Sequence, residues 1–262
     1  MNINLTGKKA IICGASKGIG RAIAIELAAL GASVTLLARN EQTLSELCKT
    51  LETKAGQYHH FLAVDLANTQ ELKAVITDYV TQSGPFHILI NNSGGPKAGS
   101  LHAANENDFS AAFTQHVMAS HVLMLAVLNG MKEEQYGRII NIISTSVKQP
   151  IAGLGISNTI RGAVANWSKT LAGEVAKFGI TVNNVLPGST ETERLTEIIA
   201  NKASKNHQSL EEVIEHEKSI IPAGRFGAPE EIAQAVAFLA SPAAAYINGI
   251  NLPVDGGRTA SL

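Results

Sequence analysis

The feature that most constrains this chain is a regular alternation of short apolar runs with longer amphipathic stretches. Residues 10–13 (Ala-Ile-Ile-Cys) have the length and composition of a buried strand, and residues 20–30 repeat their apolar side chains at helical spacing. The same pair of strand and helix recurs along most of the sequence. Strands that are apolar throughout and alternate with helices predict a parallel sheet covered by helices on both faces.

The predicted elements fill the chain without an internal repeat, a low-complexity run or a Pro/Gly-rich linker, so we expect one domain over residues 1–262. Further strands are predicted at residues 33–38, 60–64, 86–90, 138–143 and 180–186. Further helices are predicted at residues 41–54, 70–81, 106–131 and 156–177.

One polar, helix-prone segment interrupts this pattern after the sixth strand, at residues 193–221. Ser209 and Glu212 have the spacing of a capping box, which predicts that a helix begins inside the segment. Because long insertions in compact domains tend to be functional, we interpret residues 193–221 as a helical lid over a site. The alternative is a solvated excursion of the surface.

A glycine-rich turn joins the first predicted strand to the first predicted helix. Its glycines let the backbone turn tightly and approach a pyrophosphate, which then lies at the positive end of the helix. The spacing is GxxxGxG, and its position between a strand and a helix strengthens the interpretation. The turn supplies these candidate cofactor-binding residues: Gly14, Ser16, Lys17, Gly18, Ile19 and Gly20.

The same turn also fits a different motif. Gly14 to Gly18 matches G-x-S-x-G, the nucleophile elbow of α/β-hydrolases, with Ser16 as the nucleophile. That reading needs earlier strands and a histidine late in the chain, whereas only one short strand precedes Ser16 and the last histidine is His216. A hydrolase is therefore the remote alternative.

The end of the second predicted strand indicates which dinucleotide binds. An acidic residue there would pair with the ribose of NAD, but the chain has Ala38-Arg39-Asn40. Arg39 can pair with a 2′-phosphate, and Lys17 can add a second cation. We therefore expect NADP(H) to be preferred over NAD(H). The alternative is that Arg39 only solvates the strand end.

Composition excludes several other classes. The chain has 21 Lys plus Arg and 22 Asp plus Glu, and this balance argues against nucleic-acid binding. No apolar run approaches the roughly 18 residues of a membrane-spanning helix. Two cysteines, Cys13 and Cys48, indicate a reducing compartment, and the N-terminus shows no secretory pattern, so we expect a cytoplasmic protein.

The motifs together resemble the short-chain dehydrogenase/reductase family, in a divergent subgroup similar to β-ketoacyl-[acyl-carrier-protein] reductases. The resemblance spans essentially the whole chain. The residues that carry it are the glycine turn, Asp65 in Val-Asp-Leu, Asn91-Asn92-Ser93-Gly94, residues 137–144, Pro187-Gly188 with Thr192, and residues 254–257. The family implies an α/β fold of the Rossmann type, a doubly wound parallel sheet of about seven strands, and hydride transfer between a nicotinamide and a carbonyl or alcohol carbon.

The resemblance assigns further cofactor contacts. Asp65 and the backbone of Leu66 would face the adenine, and Asn91 and Gly94 would line the ribose side. Pro187, Gly188 and Thr192 would hold the carboxamide of the nicotinamide. Each assignment has a structural alternative, because Asp65 could cap a helix that begins near Thr69 and Pro187-Gly188 could be only a turn.

The catalytic positions depart from the family pattern. Ser144 matches the family's serine, but its tyrosine and lysine positions hold Ser157 and Arg161. None of the four tyrosines has a lysine four residues later. The family's helix asparagine is replaced, and His116 is the residue that best corresponds to it. A serine hydroxyl is a poor proton donor near neutral pH, and arginine cannot transfer protons.

Two readings remain open from these residues. The first is an oxidoreductase in which Ser144 and Ser157 polarise the carbonyl, Arg161 holds the ribose, and the proton path is remodelled, with His116 as a candidate proton source. The second is a protein that binds the dinucleotide as a sensor or partner subunit without catalysis. The oxidoreductase would take a small carbonyl or alcohol as substrate. We expect no bound metal, and family resemblance implies a homotetramer or homodimer formed through residues 106–131, residues 156–177 and the C-terminal strand.

Overall fold

A computed structural model describes residues 1–261 and contains one seven-stranded sheet. Its strands are β1 (Lys9–Cys13), β2 (Ser33–Ala38), β3 (His60–Ala63), β4 (Ile88–Asn91), β5 (Gly137–Ile142), β6 (Ile180–Pro187) and β7 (Asn251–Val254). The spatial order is β3-β2-β1-β4-β5-β6-β7, and every neighbouring pair is parallel. The predicted doubly wound sheet of the Rossmann type is confirmed.

The strands are connected by helices that cover both faces of the sheet. They are α1 (Gly18–Ala29), α2 (Glu41–Thr50), α3 (Thr69–Ser83), α4 (Glu106–Phe113), α5 (Ala119–Glu133), α6 (Gly155–Val175), α7 (Glu193–Asn206), α8 (Leu210–Ser219) and α9 (Pro229–Ala240). The helix predicted at residues 41–54 ends earlier, because Leu51 adopts an extended conformation at the C-cap of α2.

Two apolar cores lie on the two faces of the sheet. Ile12 packs with side chains of α1 and α9 such as Leu27, whereas its neighbour Ile11 packs with side chains of α3, α5 and α6 such as Leu123. Alternate strand residues therefore enter opposite cores, as the pleat of a strand requires. This is why the strands are apolar along their whole length in the sequence.

The order of the strands locates the functional crevice. After β3, the chain crosses through α3 to the other half of the sheet and forms β4, so the strand order reverses between the hydrogen-bonded neighbours β1 and β4. In open α/β sheets, ligands bind outside the carboxyl ends of the strands at such a switch point. The glycine turn after β1 and the polar run after β4 both lie at this edge.

The segment predicted as a lid folds into α7 and α8. Thr192 caps α7, and Ser209 forms with Glu212 the capping box that the sequence predicted for α8. The two helices share a small apolar cluster of their own, which includes Ile199 and Val213. The segment is thus a separately packed layer attached beyond β6, and its role as a lid remains a prediction.

One helix in residues 1–261 meets the length and composition test for a membrane span. It is the continuous helix Glu106–Glu133, formed by α4, a π-helical turn at Thr114–Met118, and α5, and an 18-residue window within it has a mean hydropathy of 1.5. Its inner side packs in the core beside β4 and α3. Helices at the core of water-soluble proteins pass the same test, so this finding is weak evidence for a membrane.

Candidate active site

The glycine turn has a backbone conformation that favours glycine. Gly14 and Gly18 have φ angles of +60° and +55°. A Cβ on Gly20 would collide with the carbonyl oxygen of Gly14. Asn92, which follows β4, donates from Nδ2 to the carbonyl oxygens of Cys13 and Gly14 at 3.2 and 3.4 Å. The turn therefore begins α1 in a fixed conformation, with the helix N-terminus facing the crevice.

Two cations flank this turn. Lys17 and Arg39 are exposed, and they lie close enough together for the charge of Arg39 to lower the pKa of Lys17 slightly. Lys17 Nζ donates to Glu193 Oε2 at 2.5 Å, and this contact raises the pKa of Lys17 more than Arg39 lowers it. The positive charge expected for a 2′-phosphate is present, and in this structure part of it is paired with the first residue of α7.

The loop after β3 carries the residues assigned to the adenine side. Asp65 Oδ1 accepts from the backbone N–H of Ala67 at 2.9 Å, which shapes the loop. Asn68, and not Asp65, is the N-cap of α3. The alternative that Asp65 caps this helix is therefore wrong. Leu66 lines a pocket at the switch point together with Cys13.

Asn91 is the last residue of β4, and its side chain lies within the sheet. It is the first member of a ladder of amides at paired positions of four neighbouring strands, Asn91, Asn141, Asn184 and Asn251. Each Nδ2 donates to the next Oδ1, at 2.8, 3.0 and 2.8 Å. All three bonds run in the same direction, so Asn91 Oδ1 is left as the acceptor end of the ladder, and it has no partner in residues 1–261.

The carboxyl end of β5 and the first turns of α6 bring three of the catalytic candidates to one region. Ser144 lies two residues beyond β5, and its Oγ accepts from the backbone N–H of Ser146 at 3.1 Å. Ser157 and Arg161 are one helical turn apart on α6, which packs against the 3₁₀ turn that follows Ser144. Arg161 Nη1 donates to the carbonyl oxygen of Ile142 at 3.0 Å, which fastens α6 to the end of the strand.

Arg161 is a buried cation without an acidic partner. Its residue is 7% exposed, and burial lowers its pKa to about 10, so the guanidinium stays charged at neutral pH. In residues 1–261 no carboxylate oxygen lies within ion-pair distance of it. Its Nε has no hydrogen-bond partner there either. A buried charge left in this way is costly unless a ligand or water compensates it.

His116 lies in the π-helical turn between α4 and α5, a distortion that is frequent at functional sites. Its residue is 3% exposed, and its Nδ1 is 2.6 Å from Ser93 Oγ. Burial and then the charge of Arg161 lower the pKa of His116 to about 3. The imidazole is therefore neutral at physiological pH, which argues against its acting as an imidazolium acid.

The residues assigned to the nicotinamide lie where β6 leaves the sheet. Pro187 ends β6, and the N–H of Gly188 donates to the carbonyl oxygen of Val254 at 3.0 Å. A Cβ on Gly18 would lie 3.3 Å from the methyl group of Thr192, so the start of α7 adjoins the glycine turn. The segment after Pro187-Gly188 therefore brings Thr192 beside the glycine turn, and the contact with the nicotinamide remains a prediction.

The loop at Gly94 forms the opposite wall. The Gly94 carbonyl oxygen accepts from Gln115 Nε2 at 3.4 Å, and a Cβ on Gly95 would lie 3.9 Å from Arg161 Nη2. The carbonyl oxygen of Pro96 accepts from Arg194 Nη2 of α7 at 3.4 Å. The loop after β4 thus contacts both the buried guanidinium and the segment predicted as a lid.

Sequence reasoning missed three residues of this site: Asn92, Ser93 and Glu193. Asn92 and Ser93 lie inside the motif of residues 91–94, and their polar side chains at a strand end were the available signal. Glu193 gave no such signal, because its partner Lys17 is 176 residues away. Within residues 1–261, no group of three or more His, Cys, Asp or Glu side chains could hold a metal ion.

Comparison with known proteins agrees with this geometry. A family model described as enoyl-(acyl carrier protein) reductase matches residues 14–259. The chain is 37% identical over 255 residues to the 3-oxoacyl-[acyl-carrier-protein] reductase FabG of Vibrio cholerae, covering 97% of this chain and 98% of that protein. It is 32% identical over 259 residues to the NADPH-dependent reductase BacG of Bacillus subtilis, covering 98% of this chain and 100% of that protein.

Solved structures give the same result. The crystal structure of YwfH, an NADPH-dependent reductase involved in bacilysin biosynthesis, superposes with a TM-score of 0.92 at 32% identity, covering 97% of this chain and 99% of that one. The L-sorbose reductase of Gluconobacter frateurii, complexed with NADPH and L-sorbose, has a TM-score of 0.91 at 32% identity, with 100% of both chains covered.

The chain therefore belongs to the short-chain dehydrogenase/reductase family. Within that family it resembles the 3-oxoacyl-[acyl-carrier-protein] reductases, and it is an oxidoreductase that uses a nicotinamide cofactor to reduce a carbonyl group. The hydrolase alternative gains no support, since no hydrogen bond joins Ser16 to a histidine in residues 1–261.

Proposed function

We propose that this protein uses NADPH to reduce the ketone of a small molecule similar to a 3-oxoacyl thioester, through an altered set of catalytic side chains. The observation that carries the proposal is Arg161, a buried cation with no acidic partner among residues 1–261, which lies one helical turn from Ser157 on α6. A fixed positive charge in a water-poor crevice stabilises negative charge that develops on a reacting oxygen.

The residues fit the proposed cofactor. Glycine backbone at the N-terminus of α1 suits a pyrophosphate, and Lys17 with Arg39 suits a 2′-phosphate, which supports NADPH over NADH. A bound nicotinamide would supply the hydride. Several similar proteins are described as NADPH-dependent or complexed with NADPH.

Each catalytic candidate then has a separate role. The hydroxyls of Ser144 and Ser157 donate hydrogen bonds to the carbonyl oxygen, and the charge of Arg161 lowers the energy of the oxyanion while its free N–H groups hold ribose hydroxyls. Arg161 keeps its proton. His116 is neutral and acts by position. The proton that completes the alcohol arrives from solvent through the serine hydroxyls.

Steady-state oxidation of NADPH with a panel of 3-oxoacyl thioesters, ketones and quinones tests the proposal. We expect turnover with at least one ketone, and a loss of about 10²–10³-fold in kcat for Ser144→Ala or Ser157→Ala. Ser146→Ala is the matched control, because that buried hydroxyl has no hydrogen-bond partner in residues 1–261 and does not line the pocket at the switch point. Tight NADPH binding without turnover on any substrate would favour the second reading, a dinucleotide-binding protein.

The outer face of the helix Glu106–Glu133 supports an oligomer. Phe113, Met118 and Leu125 are 40%, 41% and 55% exposed there, a concentration of apolar surface that suits association with a second copy. We propose a homotetramer or homodimer in the cytoplasm. Light scattering coupled to size exclusion would show a multiple of 27.6 kDa, and a monomer mass would contradict it.

A further inference from the structure

Three buried polar atoms that have no hydrogen-bond partner in the described part of the chain, residues 1–261, belong to residues that line the same pocket. They are Asn91 Oδ1, His116 Nε2 and Arg161 Nε, whose residues are 6%, 3% and 7% exposed. Ser146 Oγ is also buried without a partner in residues 1–261, but Ser146 does not line this pocket. Buried polar atoms are normally paired, so three such residues around one cavity indicate a ligand.

The direction of hydrogen bonding is fixed at two of the three atoms. Arg161 Nε carries one proton and can only donate. Asn91 Oδ1 can only accept, because the ladder already uses its Nδ2 as a donor to Asn141. If the oxygen and nitrogen of Asn91 were exchanged, its oxygen would face Asn141 Oδ1, which is also an acceptor. Exchanging Asn141 as well would only move the conflict to Asn184 Oδ1.

Whether the third atom, His116 Nε2, donates or accepts depends on what the other ring nitrogen contacts. Burial and Arg161 lower the pKa of His116, while a hydrogen bond with the Gly94 backbone opposes them. Nε2 has no hydrogen-bond partner in residues 1–261, whereas Nδ1 lies 2.6 Å from Ser93 Oγ, which can accept its proton. With the ring neutral, the tautomer that carries its proton on Nδ1 is the one that sets an acceptor, and not a second donor, beside the guanidinium. Nε2 then presents a lone pair to the pocket, which the positive charge of Arg161 favours.

One donor and two acceptors match a single water molecule, which can accept once and donate twice. The cavity volume is about 10 Å³, near the lower limit for one water. An anion would be repelled by the lone pairs of Asn91 and His116, and a cation would be repelled by the guanidinium of Arg161. A neutral molecule with two protons suits the pocket better than either ion.

We propose that one buried water bridges Arg161 Nε, His116 Nε2 and Asn91 Oδ1, and that Ser93 is a positioning residue that keeps the His116 proton on Nδ1. The water fixes the Nε edge of the guanidinium, so that Nη1 stays on the Ile142 carbonyl oxygen and Nη2 is held beside the loop at Gly95. It is a clamp and not a proton path, because Arg161 does not release protons at neutral pH. Its importance for catalysis rests on the proposed function, but its existence does not.

Nitrogen NMR of the His116 ring in the cofactor-free protein tests the tautomer. We expect Nδ1 protonated and Nε2 unprotonated, with no change between pH 5 and pH 8. Among the pocket-lining residues, only Arg161 and Cys13 also titrate, and their pKa values of about 10 and about 12 lie outside that range. A proton on Nε2 in the wild-type protein would overturn the proposal.

Variants separate the role of Ser93 from general effects on the helix. Ser93→Ala removes one partner of Nδ1, so we expect a mixture of both tautomers, and Ser93→Thr should restore the single form. Ser120→Ala is the control, because Ser120 lines the same pocket but donates only to the backbone carbonyl of His116, at 2.7 Å. A Ser93→Ala spectrum identical to that of the wild type would remove Ser93 from the proposal.

A high-resolution crystal structure of the cofactor-free protein tests the water directly. We expect one ordered water within about 3.2 Å of all three atoms. Its absence from well-defined density, or direct contact between Arg161 Nε and His116 Nε2, would refute the clamp. Neither measurement needs turnover. An inactive protein with the water and tautomer in place would refute only the proposed function, and an active enzyme without them would refute only this inference.

Discussion

The two ends of the crevice are built in different ways. At the phosphate end, the ligand-facing groups are backbone atoms of a glycine turn, with two exposed cations beside it. At the reaction end, the functional groups are side chains that are largely buried, and Arg161 and His116 have pKa values well below their ordinary ones. The first end depends on space for backbone, and the second depends on the pairing of buried polar atoms. Mutations at the two ends should therefore impair the protein for different physical reasons.

The largest effect is expected at the phosphate end. A Cβ on Gly20 would collide with the Gly14 carbonyl oxygen and lie 2.7 Å from Asn92 Nδ2, so Gly20→Ala must displace the turn. We expect NADPH binding to be lost and unfolding free energy to fall by about 3 kcal/mol, measured by calorimetry and denaturant titration.

Gly162→Ala is the control for that substitution. Gly162 lies in α6, where a Cβ would meet nothing within 4 Å beyond its chain neighbours and the backbone of its own helix, and alanine favours a helix by about 1 kcal/mol over glycine. This variant should be at least as stable as the wild type. If Gly20→Ala bound NADPH normally, close backbone packing would not be what limits the phosphate end.

At the reaction end, we expect activity and stability to separate. Arg161→Met removes a buried charge that no acidic group within residues 1–261 balances, so the unfolding free energy should stay the same or increase, while kcat/KM falls by about 10²–10³-fold. Arg138 offers a matched comparison, because it is equally buried but bonds to the carbonyl oxygens of Gly137, Gly179 and Ser241.

Arg138→Met should therefore lower the unfolding free energy by about 3 kcal/mol, since it leaves several buried carbonyl groups unpaired. Denaturant titrations of both variants measure this difference. A loss of stability in Arg161→Met as large as that in Arg138→Met would show that the Arg161 guanidinium is structural, and the contrast between the two ends of the crevice would disappear.

The difference between the two ends also explains what could be predicted from the sequence. The glycine turn, the strand order and the cations Lys17 and Arg39 follow from local patterns, because backbone conformation and strand ends are encoded by neighbouring residues. The amide ladder could not be predicted, since it requires the register of four strands. The contact of Ser93 with His116 depends on a loop and a π-helical turn that meet only in the folded chain.

The pH dependence of the reaction end provides a smaller effect. His116 has a pKa of about 3 and Arg161 of about 10, so kcat/KM should be nearly constant between pH 5 and pH 9. Stability should behave differently. Below pH 6.5 the unfolded chain binds a proton at residue 116 that the folded chain binds only near pH 3, so unfolding free energy should fall as the pH decreases through this interval.

His116→Gln should reduce this acid sensitivity, and denaturant titrations at pH 7 and pH 4.5 measure it. His87, whose pKa burial lowers to about 4, contributes a similar dependence that persists in this variant and serves as an internal reference. An activity profile with an inflection near pH 6.5 would instead mean that an exposed, titrating imidazole supplies the proton.

The smallest effect concerns the contact between the phosphate end and α7. Lys17 and Glu193 are both largely exposed, so their ion pair contributes little to stability, but it places a carboxylate beside the proposed site of the 2′-phosphate. Glu193→Gln should therefore tighten NADPH binding a few-fold and leave NADH binding unchanged, whereas Lys17→Met should weaken NADPH binding by about tenfold. Both effects should shrink in high salt.

Glu52→Gln is the control, because it breaks the exposed pair with Lys54 elsewhere on the surface, and it should change the binding of neither NADPH nor NADH. Weaker NADPH binding by Glu193→Gln would contradict this expectation. The ion pair would then persist in the bound state and hold α7 over the cofactor, instead of opposing the phosphate.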